Sequence, residues 1–342
     1  MEIKPRVSVV IPVYNGSNFL AQAIDSAIAQ TWPNTEVLVV DDGSDDGGAT
    51  VRIARSYGER IRLIGKDHGG VSAALNAGIR EMTGDYFAWL SHDDVYHSHK
   101  LERQVEALER HGRDAIAYSD YELVGPDLRR IKRKAMPNVA PAAFRLWLTT
   151  SSALHGCTVL VPRSCFDDER FDERLSTTQD YDMWFRLAGN HRFVHVPEIL
   201  LQYRIHGRQE SWTNPKRIEE GNRLLIGFLN DIGPDEMRAA ADQSPSTVYL
   251  RAAVRFKLRG YALAAARALD LSRNAPGSRR GRLSPVRLVT LAAYHLASPR
   301  LRPMYWWKRF NLGATREVRP AASGTAQARA GVRTPPDPAA DT

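Results

Sequence analysis

Cysteine is almost missing from this chain: Cys157 and Cys165 are the only two in 342 residues. One such pair builds no disulfide framework, and two thiols eight residues apart lack the further ligands of a zinc site. Long apolar runs are missing too. No stretch reaches the roughly 18 apolar residues that a bilayer span needs, so no transmembrane helix is expected. The start of the chain lacks the pattern of a signal peptide, because Glu2, Lys4 and Arg6 lead straight into a short strand-like run. No strict long repeat is present, so no repeat architecture is read. These absences together predict a cytoplasmic protein.

What is present is an ordinary globular composition, 43% hydrophobic and 25% charged. The length suits one large domain with an appendage. The formal net charge of +8 is unevenly spread. Between Arg251 and Pro320, sixteen Lys and Arg stand against Asp270 and Glu317 alone, which leaves residues 1–250 net acidic. A basic C-terminal segment on an acidic body points to an anionic partner surface. No aromatic or zinc module of the nucleic-acid type accompanies it, so no nucleic acid is expected. Arg280, Arg282 and Arg287 lie among Val286, Leu288, Val289 and Leu291, and Met304–Phe310 mixes aromatics with bases. That pattern suits peripheral docking on an anionic membrane surface. Packing of these helices on the rest of the protein is the competing reading.

Hydrophobic periodicity alternates between two modes over the first hundred residues. Val7–Val13, Glu36–Val40, Ile61–Ile64 and Asp85–Leu90 read as strands, the first as a continuous apolar run of the kind buried on both faces. Asn18–Gln30, Asp46–Tyr57 and Val71–Met82 repeat apolar residues at helical spacing. Short loops between alternating strands and helices predict an open α/β sheet, mostly parallel and flanked by helices. Further on, 98–110 and Gln179–Leu187 read as helices. Ala115–Tyr121, Thr158–Val161, Phe193–Val196 and Leu200–Arg204 read as strands. From Pro215 the pattern is helical, over Arg217–Leu229, Ser246–Leu258, Tyr261–Ser272 and Pro285–Leu296. From about Gly313 an Ala, Gly, Pro and Arg-rich tail is expected to be disordered. The implied units are 1–230, a basic helical region 231–312, and the tail 313–342.

Polar clusters fall just after the expected strands, at the carboxyl edge where open α/β sheets bind ligands. Asp93-Asp94 sets two carboxylates side by side. Such a pair suits a hard divalent cation that also takes substrate phosphates, or else it opens a loop and caps the next helix. Asp41-Asp42-Gly43-Ser44 offers a carboxylate for a base or ribose, and equally a turn with a helix cap. Tyr14 in Pro12-Val13-Tyr14-Asn15 can stack on a base or pack in its loop. His68-Gly69-Gly70 opens a helix that contains Asn76, where backbone amides can approach phosphate. In Gln179-Asp180-Tyr181-Asp182 the two carboxylates cannot face the same side of a helix, so one can enter a cleft while the other caps or pairs with Arg186. His206 ends Tyr203-Arg204-Ile205-His206, as a ligand or as a plain loop residue.

In this order, over about residues 5–210, the motifs resemble those of the family 2 glycosyltransferases, the GT-A-fold group that includes bacterial polysaccharide and lipopolysaccharide sugar transferases. The likeness is carried by Val7–Asn15, Val39–Ser44, Gly69–Ser72 with Asn76–Gly78, Thr83–Tyr86 with Asp93-Asp94, Phe171–Glu173, Gln179–Asp182 and Tyr203–His206. The resemblance implies a GT-A sheet with a C-terminal helical appendage. It implies that Pro12, Tyr14 and Asp42 line the base pocket, that Asp93 and Asn76 serve the nucleotide sugar, and that Asp94 with His206 holds Mg²⁺ or Mn²⁺. Asp180 matches the base. Two departures bear on donor choice: Ser91 stands where the family often has Asp, and Leu75 where it often has Arg.

The implied reaction is inverting transfer of a hexosyl group from a nucleotide-diphosphate donor, expected to be a UDP-sugar, to a hydroxyl of a glycan or lipid-linked acceptor. Cell-envelope polysaccharide synthesis is the expected setting, on the inner face of the plasma membrane. The alternative is an inactive nucleotide-sugar-binding protein of the same fold, against which the presence of both Asp94 and Asp180 speaks. A nucleotidyltransferase would carry a Gly-rich Arg-Lys loop after the first strand, and Tyr14-Asn15-Gly16-Ser17 is not one.

Overall fold

The computed structural model describes residues 4–275 except 151–153, 208, 210–213 and 242, together with Ala293 and Leu296. Apart from those two positions, the expected helix at Pro285–Leu296, the aromatic and basic cluster at 304–310 and the tail from 313 lie outside the described residues.

The chain begins with β1 (Val7–Val13), α1 (Leu20–Ile28), β2 (Thr35–Asp41), α2 (Ala49–Arg55), β3 (Arg62–Gly65), α3 (Val71–Glu81) and β4 (Tyr86–Trp89). β1 lies between β2 and β4, β3 lies outside β2, and all of these pairings are parallel. Every residue of β1 is buried. A parallel sheet covered on both faces leaves a strand no wet side, which explains the unbroken apolar run. α3 lies against β1 so closely that a Cβ on Gly78 would collide with Val10.

There follow β5 (Val95–Tyr96), α4 (Lys100–His111), β6 (Ile116–Val124), β7 (Arg130–Lys134), α5 (Pro141–Thr150), β8 (Val159–Pro162), α6 (Gln179–Leu187) and β9 (Phe193–Arg204). β8 runs antiparallel to both β4 and β6 and joins the two halves of the sheet. β9 is parallel to β6. The order is β3-β2-β1-β4-β8-β6-β9-β5, with β7 paired to β6 beyond the end of β8.

Several elements differ from the sequence expectation. Phe193–Val196 and Leu200–Arg204 are one strand: Ser119 pairs with Val196 and Asp120 with Ile199, so Pro197 and Glu198 bulge out. Proline has no N–H for the ladder, and a bulge accommodates it. β7 reads Arg-Ile-Lys-Arg-Lys and is largely exposed, so it has no apolar alternation to detect. In α5 the buried Phe144, Leu146 and Leu148 alternate by two, which hides the helical period.

The C-terminal helices are α7 (Arg217–Asp231), α8 (Pro234–Ala240), α9 (Pro245–Arg259) and α10 (Ala262–Asn274). They pack on the α/β body. Phe228 stacks on Phe185 of α6 with centroids 3.7 Å apart. Arg145 of α5 pairs with Asp231 and Glu236, and Arg255 donates to the carbonyl of Thr150 at 3.1 Å. Among the described residues no helix is long and apolar enough to cross a membrane.

Candidate active site

The carboxyl ends of β1, β2 and β4 open on a cleft of about 1730 Å³. Pro12, Tyr14, Asp42, Asp93, Asp94, Asp180 and His206 all line it, although they come from segments far apart in sequence. Asn76 does not. Its buried amide donates to the Phe171 carbonyl and to Glu173 Oε1, both at 2.9 Å, and its Oδ1 accepts from the Phe171 N–H at 3.0 Å. It fixes on α3 the loop that carries Glu173 into the cleft.

At one end, Tyr14 follows β1, is 40% exposed and lies 4.2 Å from the His68 ring. Asp42 ends β2 and is only 2% exposed. It accepts from Lys66 Nζ at 2.6 Å and from the N–H groups of Gly69 and Gly70 at 3.1 and 2.7 Å. The carboxylate therefore closes the glycine turn that begins α3. Gly70 has φ 88°, a region that favours glycine.

At the centre, Asp93 and Asp94 follow β4. His206 Nε2 donates to Asp93 Oδ2 at 2.9 Å. Asp94 Oδ1 accepts from the Arg204 N–H at 2.9 Å. Its Oδ2 is buried and has no hydrogen-bond partner. Burial and the neighbouring Asp93 charge push the Asp94 pKa well above the usual carboxylate range. Burial opposes charge on Asp93 as well, but the hydrogen bond from His206 and the adjacent His92 outweigh it, so its pKa lies below the usual value.

A buried, unpartnered carboxylate oxygen fits a hard divalent cation, which needs one or two protein carboxylates beside substrate phosphate. Asp94, His155 and Cys157 bring candidate ligand atoms within 4.8 Å of one another. The two neighbours fit a cation poorly. His155 Nδ1 accepts from the Cys157 N–H at 3.2 Å, so the neutral ring carries its hydrogen on Nε2 and offers no lone pair there. Burial lowers the His155 pKa to about 4, which keeps it neutral. Burial and the Asp94 charge push the Cys157 thiol well up, away from the thiolate that ligates metal. Of the three, Asp94 alone offers a buried carboxylate oxygen with no hydrogen-bond partner. His206, expected beside it, has its Nε2 on Asp93.

Asp180 opens α6. Burial pushes its pKa up to about 7, against hydrogen bonds from the N–H groups of Tyr181, Asp180 and Gly156. Asp182 faces elsewhere and accepts from Arg186 Nε at 2.9 Å. The turn at 155–157 therefore adjoins both carboxylates, Asp180 through the Gly156 N–H and Asp94 through His155, 3.8 Å away. A Cβ on Gly156 would collide with the Trp89 ring.

Four residues of the site were not among the site candidates read from the sequence. His155 and Cys157 lack a strand-end signal of their own. Arg204 is wholly buried and donates to the Asp93 carbonyl at 2.6 Å. Glu220 of α7 accepts from the N–H and hydroxyl groups of Ser176 and Thr177, at 2.7 to 3.2 Å, and so clasps the turn just before Asp180.

The Glycosyl transferase family 2 model matches residues 8–169. A glycosyltransferase of Rickettsia prowazekii, itself uncharacterised, is 42% identical over 245 residues, covering 68% of this chain and 74% of that protein. Three other Rickettsia relatives are longer, and the chain spans 40% or less of their length. Among solved structures, S. aureus TarS 1-349 in complex with UDP-GlcNAc superposes with a TM-score of 0.56 at 18% identity, covering 90% of this chain and 88% of that one. A mannosyltransferase of Pyrobaculum calidifontis in complex with GDP-Man and Mn²⁺ does so with a TM-score of 0.53 at 19% identity, covering 90% and 84%. The fold is the GT-A fold of nucleotide-sugar enzymes. The chain belongs to glycosyltransferase family 2.

Proposed function

We propose that this chain is an inverting, divalent-metal-dependent hexosyltransferase acting on a nucleotide-diphosphate donor and a glycan or lipid-linked acceptor. One observation carries the reading: the 155–157 turn brings the Asp180 carboxyl and the unpartnered oxygen of Asp94 to one cleft. Tyr14, Pro12 and Asp42 are then the base pocket, and Asp93 the ribose side. Mg²⁺ or Mn²⁺ held at Asp94 would supply Lewis-acid stabilisation of the leaving diphosphate.

Asp180 takes the proton of the acceptor hydroxyl as that oxygen bonds to the anomeric carbon. The bond from that carbon to the phosphate oxygen breaks, and the nucleoside diphosphate leaves with the electron pair. A base with a pKa of about 7 is matched to this task near neutral pH. Asp182 is diverted to Arg186 and Glu173 accepts from Asn76, which supports direct displacement with inversion over a covalent intermediate.

UDP-sugars are the first donors to test, with GDP-sugars next in view of the ligands of the two structural neighbours. The basic segment 251–312 supports a peripheral place on the inner face of the plasma membrane, where a lipid-linked acceptor would lie. The deciding experiment is a screen of nucleotide sugars for transfer and hydrolysis, with and without Mn²⁺, followed by NMR of the product's anomeric configuration. Turnover of none of them, or a retained configuration, rejects the reading.

A further inference from the structure

β7 forms part of the cleft wall. In the β6–β7 ladder Lys134 stands opposite Tyr121 and Lys132 opposite Leu123. Directly paired residues share a face of the sheet, and all four line the cleft. Arg133 stands opposite Glu122 instead, and that carboxylate also lies 3.7 Å from Arg130 and 3.6 Å from His97. Among the described residues, neither Lys132 nor Lys134 has a carboxylate within ion-pair distance. Two ammonium groups thus face the cleft without a protein counter-ion.

Their position relates to the acceptor. Tyr121, opposite Lys134, has its ring 5.8 Å from His155, which lies 3.8 Å from Asp94. Tyr121 is also near enough to Tyr181, the residue after Asp180, for the two phenols to interact electrostatically. Lys134 therefore stands across the ladder from a ring that adjoins the turn at 155–157, with Lys132 beside it on the same face. The base pocket is built from other elements, at the ends of β1 and β2.

We propose that the acceptor is an anionic glycan whose carboxylate or phosphate group is held by Lys132 and Lys134 while Asp180 addresses its hydroxyl. This inference rests on the transferase reading above and names its substrate class. Both anions present the same chemistry to an ammonium pair, so the test carries two arms.

Full-length protein holding Mn²⁺ and whichever of UDP or GDP it binds is titrated calorimetrically with matched oligosaccharides. Tetragalacturonate is compared with its methyl ester, and a phosphorylated maltotetraose with maltotetraose. At least one anionic member should bind about three- to tenfold tighter than its neutral twin, as two exposed ion pairs allow. The preference should shrink as NaCl rises and vanish in Lys132→Gln/Lys134→Gln, with nucleotide affinity unchanged. The arm that responds identifies the anion. Equal binding within both pairs, or a preference that survives the double variant, overturns the proposal. So does a loss of nucleotide affinity in that variant, which would assign the lysines to the donor. Wild-type protein that binds no nucleotide defeats the transferase reading instead.

Discussion

The backbone N–H of Arg204 donates to Oδ1 of Asp94 at 2.9 Å, and that bond leaves Oδ2 as the buried oxygen without a partner. Arg204 is itself fixed. Its guanidinium reaches the Asp93 carbonyl, the Pro126 carbonyl and Gln22 Oε1, and it packs over the Phe19 ring at 4.2 Å. The end of β9 therefore sets the orientation of a carboxylate that follows β4, 110 residues earlier.

Asp94→Asn keeps an oxygen for the Arg204 N–H and removes the charge. Mn²⁺-dependent nucleotide binding should be lost while thermal unfolding stays cooperative. Calorimetry that finds the same Mn²⁺-nucleotide affinity in the variant would refute the assignment of Asp94 as ligand.

Asp180→Asn should lower turnover by about 10² to 10⁴-fold with donor affinity little changed. Asp182→Asn should cost far less, because that carboxylate is held by Arg186. With a base pKa of about 7, the wild-type rate should fall about tenfold per pH unit below neutrality. The pH dependence of kcat decides this, and an inactive Asp182→Asn beside an active Asp180→Asn would reverse the roles.

The same group predicts a stability effect. The pKa of Asp180 is raised to about 7 in the folded protein, against about 3.9 when unfolded. Between those values the folded state holds a proton that the unfolded state has lost, so stability falls as pH rises through the interval and is level above it. Asp180→Asn removes this loss. Melting in chelator should show the variant gaining stability over wild type at pH 8 and little at pH 4. An equal difference at both would reject the shifted pKa.

Glu220→Gln tests the clasp on the turn before α6. Burial disfavours the Glu220 charge, but the hydrogen bonds from Ser176 and Thr177 outweigh it and hold the pKa below the usual value. Its stabilisation is therefore present above the unfolded pKa and lost as pH falls through the folded one. At pH 7 the substitution should cost about 1 to 3 kcal/mol and lower kcat more than it alters donor affinity. A variant with wild-type melting temperature and kcat would show that the clasp does not position Asp180.

The elements of the first half were legible because β1 is buried throughout and its flanking helices are amphipathic, so period and burial coincide in Val7–Val13 and Asn18–Gln30. β7 and α5 were not legible: Arg130–Lys134 has no buried face to pattern, and Phe144, Leu146 and Leu148 mimic a strand. The polar clusters after β1, β2 and β4 also stood out, since a strand's carboxyl end is a fixed place in an open α/β sheet.

The sequence by itself determined the α/β order and the candidates Asp42, Asp93 and Asp94, because these depend on local period and on residue types at strand ends; the order of the motifs gave the family and, through it, Asp180. Only the tertiary structure decided which atom each candidate offers. Asp180 rather than Asp182 enters the cleft because Arg186, one helical turn on, takes the latter. Asn76 is drawn out of the cleft by Phe171, 95 residues away. His206 turns to Asp93, 113 residues back. Hydrogen bonds across such separations form only after the sheet has closed, so no local reading of the chain contains them.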